Sequence, residues 1–290
     1  MEIRTVEKIE DIREVVSDWR RRDLQVALVP TMGFLHEGHL DLVRRAGQIA
    51  DRTLVSVFVN PTQFGPGEDF EAYPRDLDGD SQKVASVAPG AVVFAPLAAE
   101  MYPVGEQLTW VETAELGRYL CGASRPNHFR GVQTVVLKLL QICTPDHIVF
   151  GLKDAQQYLI ISRMLDDLNI ACAIHGVETR RERDGLAMSS RNKYLSGLER
   201  EEAGLLFQAV SRAREMISLG ETSAKRVEEA MHHILAQATN GRIDYASVVS
   251  RSTLQPIESI VQGDAVVAAV AVYFGRARLI DNAIISLDDV

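Results

Sequence analysis

The sequence predicts an α/β fold in which a doubly wound parallel sheet is followed by a smaller α+β domain. Short runs rich in β-branched residues alternate with helix-periodic segments through roughly the first 180 residues, as in parallel βαβ units. After about residue 177 this alternation stops, and the later apolar runs predict antiparallel strands. A chain of 290 residues, 46% hydrophobic and 24% charged, is long enough for two folded domains and excludes intrinsic disorder.

The first domain, residues 1–180, is predicted to be Rossmann-like. Its buried strands are expected at residues 26–30, 53–60, 91–96, 147–151 and 171–177. Helical periodicity between them predicts helices over residues 39–50, 77–87, 132–142 and 155–168. Ligands of doubly wound sheets bind beyond the carboxyl ends of the strands, so we expect the chemistry in loops that directly follow strands.

The second domain, residues 181–290, is predicted to be a smaller α+β lid domain. Helices are expected near residues 198–219 and 223–238, and strands at 243–249, 265–274 and 277–285. The charged string ETRRERDG lies at the boundary between the two domains.

Charge and composition exclude several classes of function. The formal net charge of -9 argues against nucleic acid or an acidic membrane as the main partner. Three well-separated cysteines, Cys121, Cys143 and Cys172, offer neither a disulfide framework nor a CxxC metal site. The first residues lack a signal sequence, and the longest apolar run is about half of the ~20 residues that cross a bilayer. We therefore expect a cytoplasmic protein.

The first unusual loop, PTMGFLHEGHL, leaves a predicted strand through Gly33 and brings His36 and His39 to the start of a helix. Residues three apart share a helix face, and the positive end of the helix dipole favours an anion there. The pattern predicts a phosphate site. Its H-E-G-H spacing differs from the H-E-x-x-H of zinc proteases, and two histidines that only cap a helix are the alternative.

The second loop, FVNPTQF, follows the next strand and carries the amides of Asn60 and Gln63. Such amides are suited to hydroxyl and carboxylate oxygens of a ligand, although they also serve to satisfy the backbone of a turn. Downstream, in YPRDLDGD, Asp76 is expected to cap a helix. Asp80 is a candidate ligand for Mg²⁺.

The third loop, FGLKDAQQ, ends a strand at Gly151 and places Lys153 and Asp154 at the start of a helix. A cation at that end opposes the helix dipole, so an anionic ligand such as phosphate is expected. We expect Asp154 to cap the helix. Of Gln156 and Gln157, one is expected to face the cleft and the other solvent.

A fourth segment, RRERDGLAMSSRNKYLS, concentrates basic residues and two serines at the domain boundary. In an acidic chain this cluster favours a phosphate-binding lid, with a solvated linker as the alternative.

With these strings in view, the sequence resembles the pantothenate synthetase family, the pantoate–β-alanine ligases. The matching strings span nearly the whole chain: PTMGFLHEGH, FVNPTQF, YPR, GASRPNHFRGV, FGLKDAQQ, DGLAMSSRN and ARLIDN. The resemblance implies that ATP and pantoate give pantoyl adenylate and pyrophosphate, and that β-alanine then attacks to give pantothenate and AMP. It also implies Mg²⁺ as a cofactor and a homodimer.

The resemblance further implies roles for individual residues. His36, His39 and Lys153 are the expected catalytic residues, with His39 as proton donor. The expected ATP-binding residues are Met32, Gly33, His36, His39, Gly151, Lys153, Asp154, Met188, Ser189, Ser190 and Arg191. Pantoate and β-alanine are expected to contact Asn60, Gln63 and Gln157.

Two positions depart from the family pattern. Leu152 stands where Glu or Gln is usual, and Arg180 stands where an apolar residue is typical, so we leave Arg180 out of the site. Two other functions compete with the ligase interpretation: transfer of AMP to a phosphorylated acceptor, and nonenzymatic nucleotide sensing. The amides of FVNPTQF disfavour a phosphorylated acceptor, and the presence of His36, His39 and Lys153 disfavours a sensor without activity.

Overall fold

A computed structural model of the chain describes residues 3–103, 107–261 and 263–287. These residues form two compact units. The first contains the described residues up to Thr113, together with Arg125–Leu152 and Ile160–Glu178. The second contains Ala114–Ser124, Lys153–Leu159 and the described residues from Thr179 onward. The units are assembled from interleaved segments, whereas the sequence predicts one division after residue 180.

The first unit is built on a six-stranded parallel sheet. Its strands are β1 (Arg4–Val6), β2 (Val26–Thr31), β3 (Arg52–Val57), β4 (Val92–Phe94), β5 (His147–Gly151) and β6 (Ala173–Val177). The strand order is β1-β4-β3-β2-β5-β6. The doubly wound sheet and its five predicted strands are confirmed. Strand β1 was not expected, because its three residues are too short to show a period.

Seven helices occur among the described residues that precede β6. They are α1 (Ile9–Arg21), α2 (Glu37–Ile49), α3 (Leu77–Val87), α4 (Ala98–Met101), α5 (Cys121–Ser124), α6 (His128–Cys143) and α7 (Ala155–Asp167). Helix α2 packs against β2, β3 and β5, where its apolar residues Leu42, Val43 and Ala46 are buried with Val29 and Val55. Helix α1 packs against α6. The four predicted helices of this region are α2, α3, α6 and α7.

The direction of the strand order changes at β2. The chain continues from β2 to its neighbour β3, while β5 pairs with the other edge of β2. Such a switch leaves a crevice beyond the carboxyl ends of the two strands, which is where ligands of doubly wound sheets bind. Strand β2 ends at Thr31 and β5 ends at Gly151, so the first histidine loop leaves the sheet at this crevice.

The second unit contains a three-stranded antiparallel sheet, ordered β7-β8-β9. Its elements are α8 (Gly197–Glu202), α9 (Leu205–Ser218), α10 (Ala224–Leu235), β7 (Gly241–Ser250), β8 (Ala265–Phe274) and β9 (Ala277–Ser286). Helix α9 packs against β8 and β9, and α10 packs against β7. The predicted antiparallel pairing is confirmed. The helix predicted over residues 198–219 is divided into α8 and α9 at Ala203 and Gly204.

No helix of the described residues is long and apolar enough to cross a membrane.

Candidate active site

The histidine loop is shaped by its own backbone. Gly33 has a φ of +80°, and a Cβ there would lie 2.9 Å from Cγ1 of Val57 and 3.0 Å from Oδ2 of Asp80. Glycine is therefore required both for the conformation and for the space. The loop is tied to the neighbouring strand because the Thr31 hydroxyl donates to the Ser56 carbonyl at 2.7 Å and accepts the Gly33 N–H at 3.2 Å.

The two histidines lie side by side at the start of α2. His36 is the N-cap of the helix, and its ring centroid lies 4.0 Å from that of His39. The backbone N–H of His36 donates to Nδ1 of His39 at 3.3 Å. Because Nδ1 accepts this bond, the proton of a neutral His39 ring resides on Nε2. Nε2 is then a hydrogen-bond donor at a helix end that favours anions.

Asp80 supports the histidine loop from α3. Its side chain is fully buried, and its carboxylate oxygens accept the N–H groups of Phe34 and Leu35, each at 2.7 Å. Burial raises the pKa of Asp80, although the two N–H groups and Lys83 act in the opposite direction. Both oxygens are engaged in holding the loop, which favours a structural role over the Mg²⁺ ligation suggested by the sequence. Asp76 caps α3, as predicted, by accepting the Gly79 N–H at 3.0 Å.

The amide of Asn60 is used entirely within the protein. Asn60 is 1% exposed. Its Oδ1 accepts the hydroxyls of Tyr102 at 2.7 Å and Thr62 at 3.0 Å. Its Nδ2 donates to Oε1 of Gln63 at 3.1 Å and to the Gly131 carbonyl at 3.3 Å. These contacts favour the interpretation that Asn60 orders the loop, in place of the substrate contact expected from the sequence.

Gln63 is the last member of this network. Its Oε1 is held by Asn60, while its Nε2 donates to Sδ of Met32 at 3.0 Å. A thioether sulfur is a weak acceptor, so a ligand oxygen would readily replace it as partner of Nε2. The first unit thus brings together Met32, Asn60 and Gln63, three residues that the sequence analysis assigned to the site.

The GASRPNHFRGV string fixes the backbone of Gln63, a role that sequence reasoning did not assign. Nδ1 of His128 lies 2.8 Å from the Gln63 carbonyl, and Nη2 of Arg125 donates to the same oxygen at 3.4 Å. Arg125 is held by both oxygens of Glu68, at 2.7 and 2.6 Å. Burial alone would raise the pKa of Glu68, but the Arg125 guanidinium brings that pKa below its ordinary value.

Leu152 follows Gly151, the last residue of β5. Its side chain, which departs from the family pattern, packs against Gly176. A Cβ added to Gly176 of β6 would lie 2.6 Å from Cδ2 of Leu152, so the leucine side chain rests directly on that glycine. The side chain at position 152 is therefore apolar packing in this protein.

Lys153 and Asp154 lie in a 3-10 turn, Leu152–Asp154, that runs directly into α7. That Asp154 caps α7 stays a prediction. Nζ of Lys153 lies 3.5 Å from Oδ1 of Asp154, and the lysine side chain is 23% exposed. The Lys153 carbonyl accepts Nδ2 of Asn282 at 2.8 Å.

The two glutamines of α7 differ in their surroundings. Gln156 is buried: its Oε1 accepts the Cys121 N–H at 3.0 Å, and its Nε2 donates to the carbonyls of Leu116 at 3.0 Å and Tyr119 at 2.7 Å. Gln157 is half-buried, and which of the two glutamines faces the cleft stays a prediction. With Gln156 holding the 114–124 segment, Gln157 is the better candidate for a ligand contact.

The Arg181 to Lys193 segment is an ordered loop. It turns back at Gly185, whose φ is +90°, and the Met188 N–H donates to the Arg180 carbonyl at 2.9 Å. Ser189 caps the following 3-10 turn, Ser190–Tyr194, by accepting the Arg191 N–H at 3.3 Å. Arg181 is engaged by Asp281 at 2.6 and 3.0 Å. This arginine is therefore a structural member of the basic cluster that the sequence assigned to phosphate.

Among residues 3–103, 107–261 and 263–287, no three His, Cys, Asp or Glu side chains are grouped so as to hold a metal ion.

Comparison with known proteins identifies the family. The family model for pantoate–β-alanine ligase matches residues 4–284. The chain belongs to the pantoate–β-alanine ligase family. It is 51% identical over 284 residues to a pantothenate synthetase of Salinibacter ruber, covering 96% of each chain. A pantothenate synthetase of Heliobacterium modesticaldum is 49% identical over 283 residues, covering 96% of this chain and 99% of that protein.

Solved structures of pantoate–β-alanine ligases share the fold. The crystal structure of pantothenate synthetase from Thermus thermophilus has a TM-score of 0.89 at 41% identity, covering 97% of this chain and 99% of that one. The Francisella tularensis ligase, crystallised with a βγ ATP compound and β-alanine, has a TM-score of 0.79 at 31% identity and 97% coverage of both chains. The resemblance stated from the sequence motifs is therefore confirmed, and the chain is a ligase.

Proposed function

We propose that this ligase performs the two-step reaction of its family with the residues described above. A carboxylate oxygen of pantoate attacks the α-phosphorus of ATP, pyrophosphate leaves, and pantoyl adenylate forms. The amine of β-alanine then attacks the adenylate carbonyl and expels AMP, which yields pantothenate. The observation that carries this proposal is the family match over residues 4–284. The histidine pair at the carboxyl end of β2 is consistent with it.

The first step requires hydrogen-bond donors aimed at the phosphate oxygens of ATP, because negative charge accumulates there as the pantoate carboxylate attacks. His36 and His39 supply them at the N-terminus of α2, with Nε2–H of His39 as proton donor. Placing such donors in advance is the main way in which protein groups accelerate phosphoryl transfer. Lys153 adds a positive charge for phosphate, and its carbonyl is held in place by Asn282.

The remaining contacts to ATP are assigned by motif. Asp154 is proposed to bind the ribose, and Met188, Ser189, Ser190 and Arg191 the nucleotide. The ordered 3-10 turn at Ser190–Tyr194 supports a fixed binding segment. Met32, Gly33 and Gly151 line the nucleotide where the chain leaves the ends of β2 and β5.

Pantoate is proposed to bind through the amides of Gln63 and Gln157. Nε2 of Gln63 has only the Met32 sulfur as its described acceptor in this conformation, which suits exchange for a pantoate oxygen. Asn60 contributes indirectly, because it holds Oε1 of Gln63 and so sets the direction of the donor.

Mg²⁺ is proposed to arrive with ATP. The described residues do not form a protein-held cage, and the oxygens of Asp80 are engaged by backbone N–H groups. Mg²⁺ commonly keeps its waters and binds through substrate phosphates, so a cage is not required.

The intermediate is proposed to stay noncovalent. Burial raises the thiol pKa of Cys143 and of Cys172 to about 12, so neither is a thiolate at neutral pH. The hydroxyl of Ser189 accepts a backbone N–H, and an activated serine needs an oriented base. Pantoyl adenylate, held by the site and shielded by the Arg181 to Lys193 segment, is then the reactive species.

Two measurements test this function. Release of AMP and pyrophosphate is followed with ATP, pantoate and β-alanine, each omitted in turn; pyrophosphate without β-alanine supports the adenylate route. In the second, the enzyme is incubated with ATP, Mg²⁺ and labelled pantoate, then denatured. Label that remains on the protein would refute a noncovalent intermediate, whereas label released as adenylate or pantoate supports it.

We also propose a cytoplasmic homodimer. The cysteines Cys121, Cys143 and Cys172 are free thiols, which suits a reducing compartment. The dimer is carried over from the family resemblance, and sedimentation equilibrium at micromolar protein tests it: a single species at the monomer mass would contradict it.

A further inference from the structure

No residue of the ARLIDN string near the end of the chain is proposed to touch a substrate, yet its side chains contact two segments that are. Asp281 and Asn282 are consecutive residues of β9. Asp281 contacts Arg181, at the base of the proposed nucleotide loop, and Asn282 contacts the backbone of Lys153. We propose that Asp281 and Asn282, the β9 pair, are positioning residues for ATP. The proposal rests on the proposed function of Lys153 and of residues 188–191.

Asp281 lies among apolar residues. Successive side chains of a strand face opposite sides of the sheet, and the face of Asp281 also carries the core residues Leu279 and Ala283. Asp281 is 2% exposed. A carboxylate in such a row is tolerated only when it is paired, and Arg181 pairs with both of its oxygens, at 2.6 and 3.0 Å.

Arg181 connects Asp281 to the proposed nucleotide loop. Its Nη1 also donates to the Gly185 carbonyl at 3.0 Å, and its guanidinium lies 4.4 Å from the ring centroid of Phe207. The backbone of Arg181 pairs with Ala187 in an antiparallel bridge. The buried carboxylate therefore holds Arg181, which in turn contacts Gly185 and Ala187 in the turn that precedes Met188.

Asn282 faces the other side of β9. Its Nδ2 donates to the Lys153 carbonyl at 2.8 Å, and its backbone N–H donates to Oδ1 of Asp281 at 2.8 Å. Holding a carbonyl in the 3-10 turn restricts the backbone that carries the Lys153 side chain. The contacts of Asp281 and Asn282 thus join the nucleotide loop and the lysine turn to the same strand.

The chemistry of the ion pair between Arg181 and Asp281 favours a positioning role over a contribution to overall stability. A buried ion pair is commonly no more stabilising than well-packed apolar residues of the same volume. It does impose one geometry, because the guanidinium fork fits the carboxylate in a single orientation. Supporting hydrogen bonds of this kind keep reacting groups in place, and a displacement of about 1 Å can cost 10²-fold in rate.

The first test uses Asn282→Leu, which keeps the branched shape of the side chain but removes the donor to Lys153. We expect kcat/KM for ATP to fall about 10- to 100-fold, while the KM for pantoate and the thermal midpoint change little. Glu202→Gln is the control, because Glu202 holds the Thr239 and Asn240 turn of the same unit and contacts neither segment. Equal kinetics of Asn282→Leu and Glu202→Gln would overturn the proposal for Asn282.

The second test separates stability from positioning at Asp281. Asp281→Asn alone leaves Arg181 without its charge partner, so loss of folding would be uninformative by itself. The double variant Arg181→Met with Asp281→Leu replaces the ion pair by apolar volume. We expect it to recover the thermal midpoint but to keep a low kcat/KM for ATP. Recovery of both quantities would show that the pair is only structural and would overturn the proposal for Asp281.

Lys153→Ala distinguishes this inference from the proposed function. If Lys153→Ala is strongly impaired while Asn282→Leu is normal, the lysine acts as proposed and the β9 pair does not. If Lys153→Ala is itself normal, the role of Lys153 is wrong, and the inference about Asn282 is overturned with it.

Discussion

The backbone N–H of His36 donates to Nδ1 of His39 at 3.3 Å, and the two rings lie 4.0 Å apart between centroids. One histidine therefore sets the tautomer of the other. Nδ1 of His39 accepts this bond at the start of the helix, and the ring proton is left on the other nitrogen, Nε2. The spacing H-E-G-H thus produces a directed donor as well as a helix cap, and the two interpretations of the motif are compatible.

Replacement of His39 separates these two roles. His39→Ala removes both nitrogens, whereas His39→Asn offers an oxygen near the position of Nδ1 and has nothing at Nε2. We expect both variants to fold and both to lose about 10²–10³-fold in ATP-dependent pyrophosphate release, the usual cost of one transition-state donor. The control is His232→Ala, because His232 is exposed on α10. A His39 variant with half of the wild-type rate would contradict the donor role.

Gln63→Ala and Gln157→Ala are expected to weaken pantoate binding far more than ATP binding. Loss of one hydrogen bond to a buried ligand oxygen costs about 1–3 kcal/mol, or roughly 5- to 150-fold in the KM for pantoate. Initial rates measured over both substrate concentrations give the two KM values. Gln208→Ala, on the exposed side of α9, is the control. If the KM values for ATP and pantoate rise together, the glutamines only hold the loops in shape.

Asp80 makes a pH dependence of stability testable. Burial raises its pKa in the folded protein above the ordinary value of 3.8, so the folded state binds this proton more tightly than the unfolded state does. The contribution of this titration is fully present below pH 3.8 and is lost as pH rises through the higher folded-state pKa. The free energy of unfolding of the wild type minus that of Asp80→Asn should therefore decrease as pH rises from 3.8 and then level off.

Urea unfolding of the wild type and Asp80→Asn at a series of pH values measures this difference. Asn keeps one acceptor for the loop but turns an amide N–H toward the other backbone N–H, so a constant offset between the proteins is also expected. A difference that increases with pH would mean that the two N–H bonds and Lys83 outweigh burial.

Gly176→Ala tests the packing of Leu152. The added Cβ would lie 2.6 Å from Cδ2 of Leu152, and displacing the leucine should cost about 1 kcal/mol or somewhat more in the free energy of unfolding. The double variant with Leu152→Ala should recover much of the loss caused by the overlap. Gly90→Ala is the control, because a Cβ there meets nothing within 4 Å. If Gly176→Ala costs the same in the wild type and in the Leu152→Ala variant, the two side chains do not interact.

Apart from β1, the sequence predicted the described strands of both sheets, for a physical reason. Buried parallel strands are continuous runs of β-branched residues, and Val26–Thr31 and His147–Gly151 were found within about a residue of their ends. The division of one predicted helix into α8 and α9 was missed, because Gly204 is a weak signal inside an otherwise helical pattern.

The polar residues of the site were harder to assign from sequence. Asn60 and Gln63 both carry an amide and lie three residues apart. The amide nitrogen of Asn60 donates to protein oxygens such as the Gly131 carbonyl, whereas that of Gln63 donates to the weak thioether acceptor of Met32. Gln156 is likewise bonded inside the protein, whereas Gln157 is half-buried. The distinction depends on partners such as Tyr102 and Leu116, which are distant along the chain, so spacing within a motif cannot supply it.

The interleaving of the two units has a consequence for how the chain acquires its structure during synthesis. Lys153 is bonded to a partner 129 residues later in the chain, and Cys121 to the guanidinium of Arg278, 157 residues later. Both partners belong to the last strand that the ribosome produces among the described elements. A nascent chain that ended after residue 180 would contain the parallel sheet, but its segments 114–124 and 153–159 would lack their long-range contacts. We therefore expect the second unit to complete its folding only once β9 has emerged, and a split of the gene at that position to yield halves that become active only by reassociating.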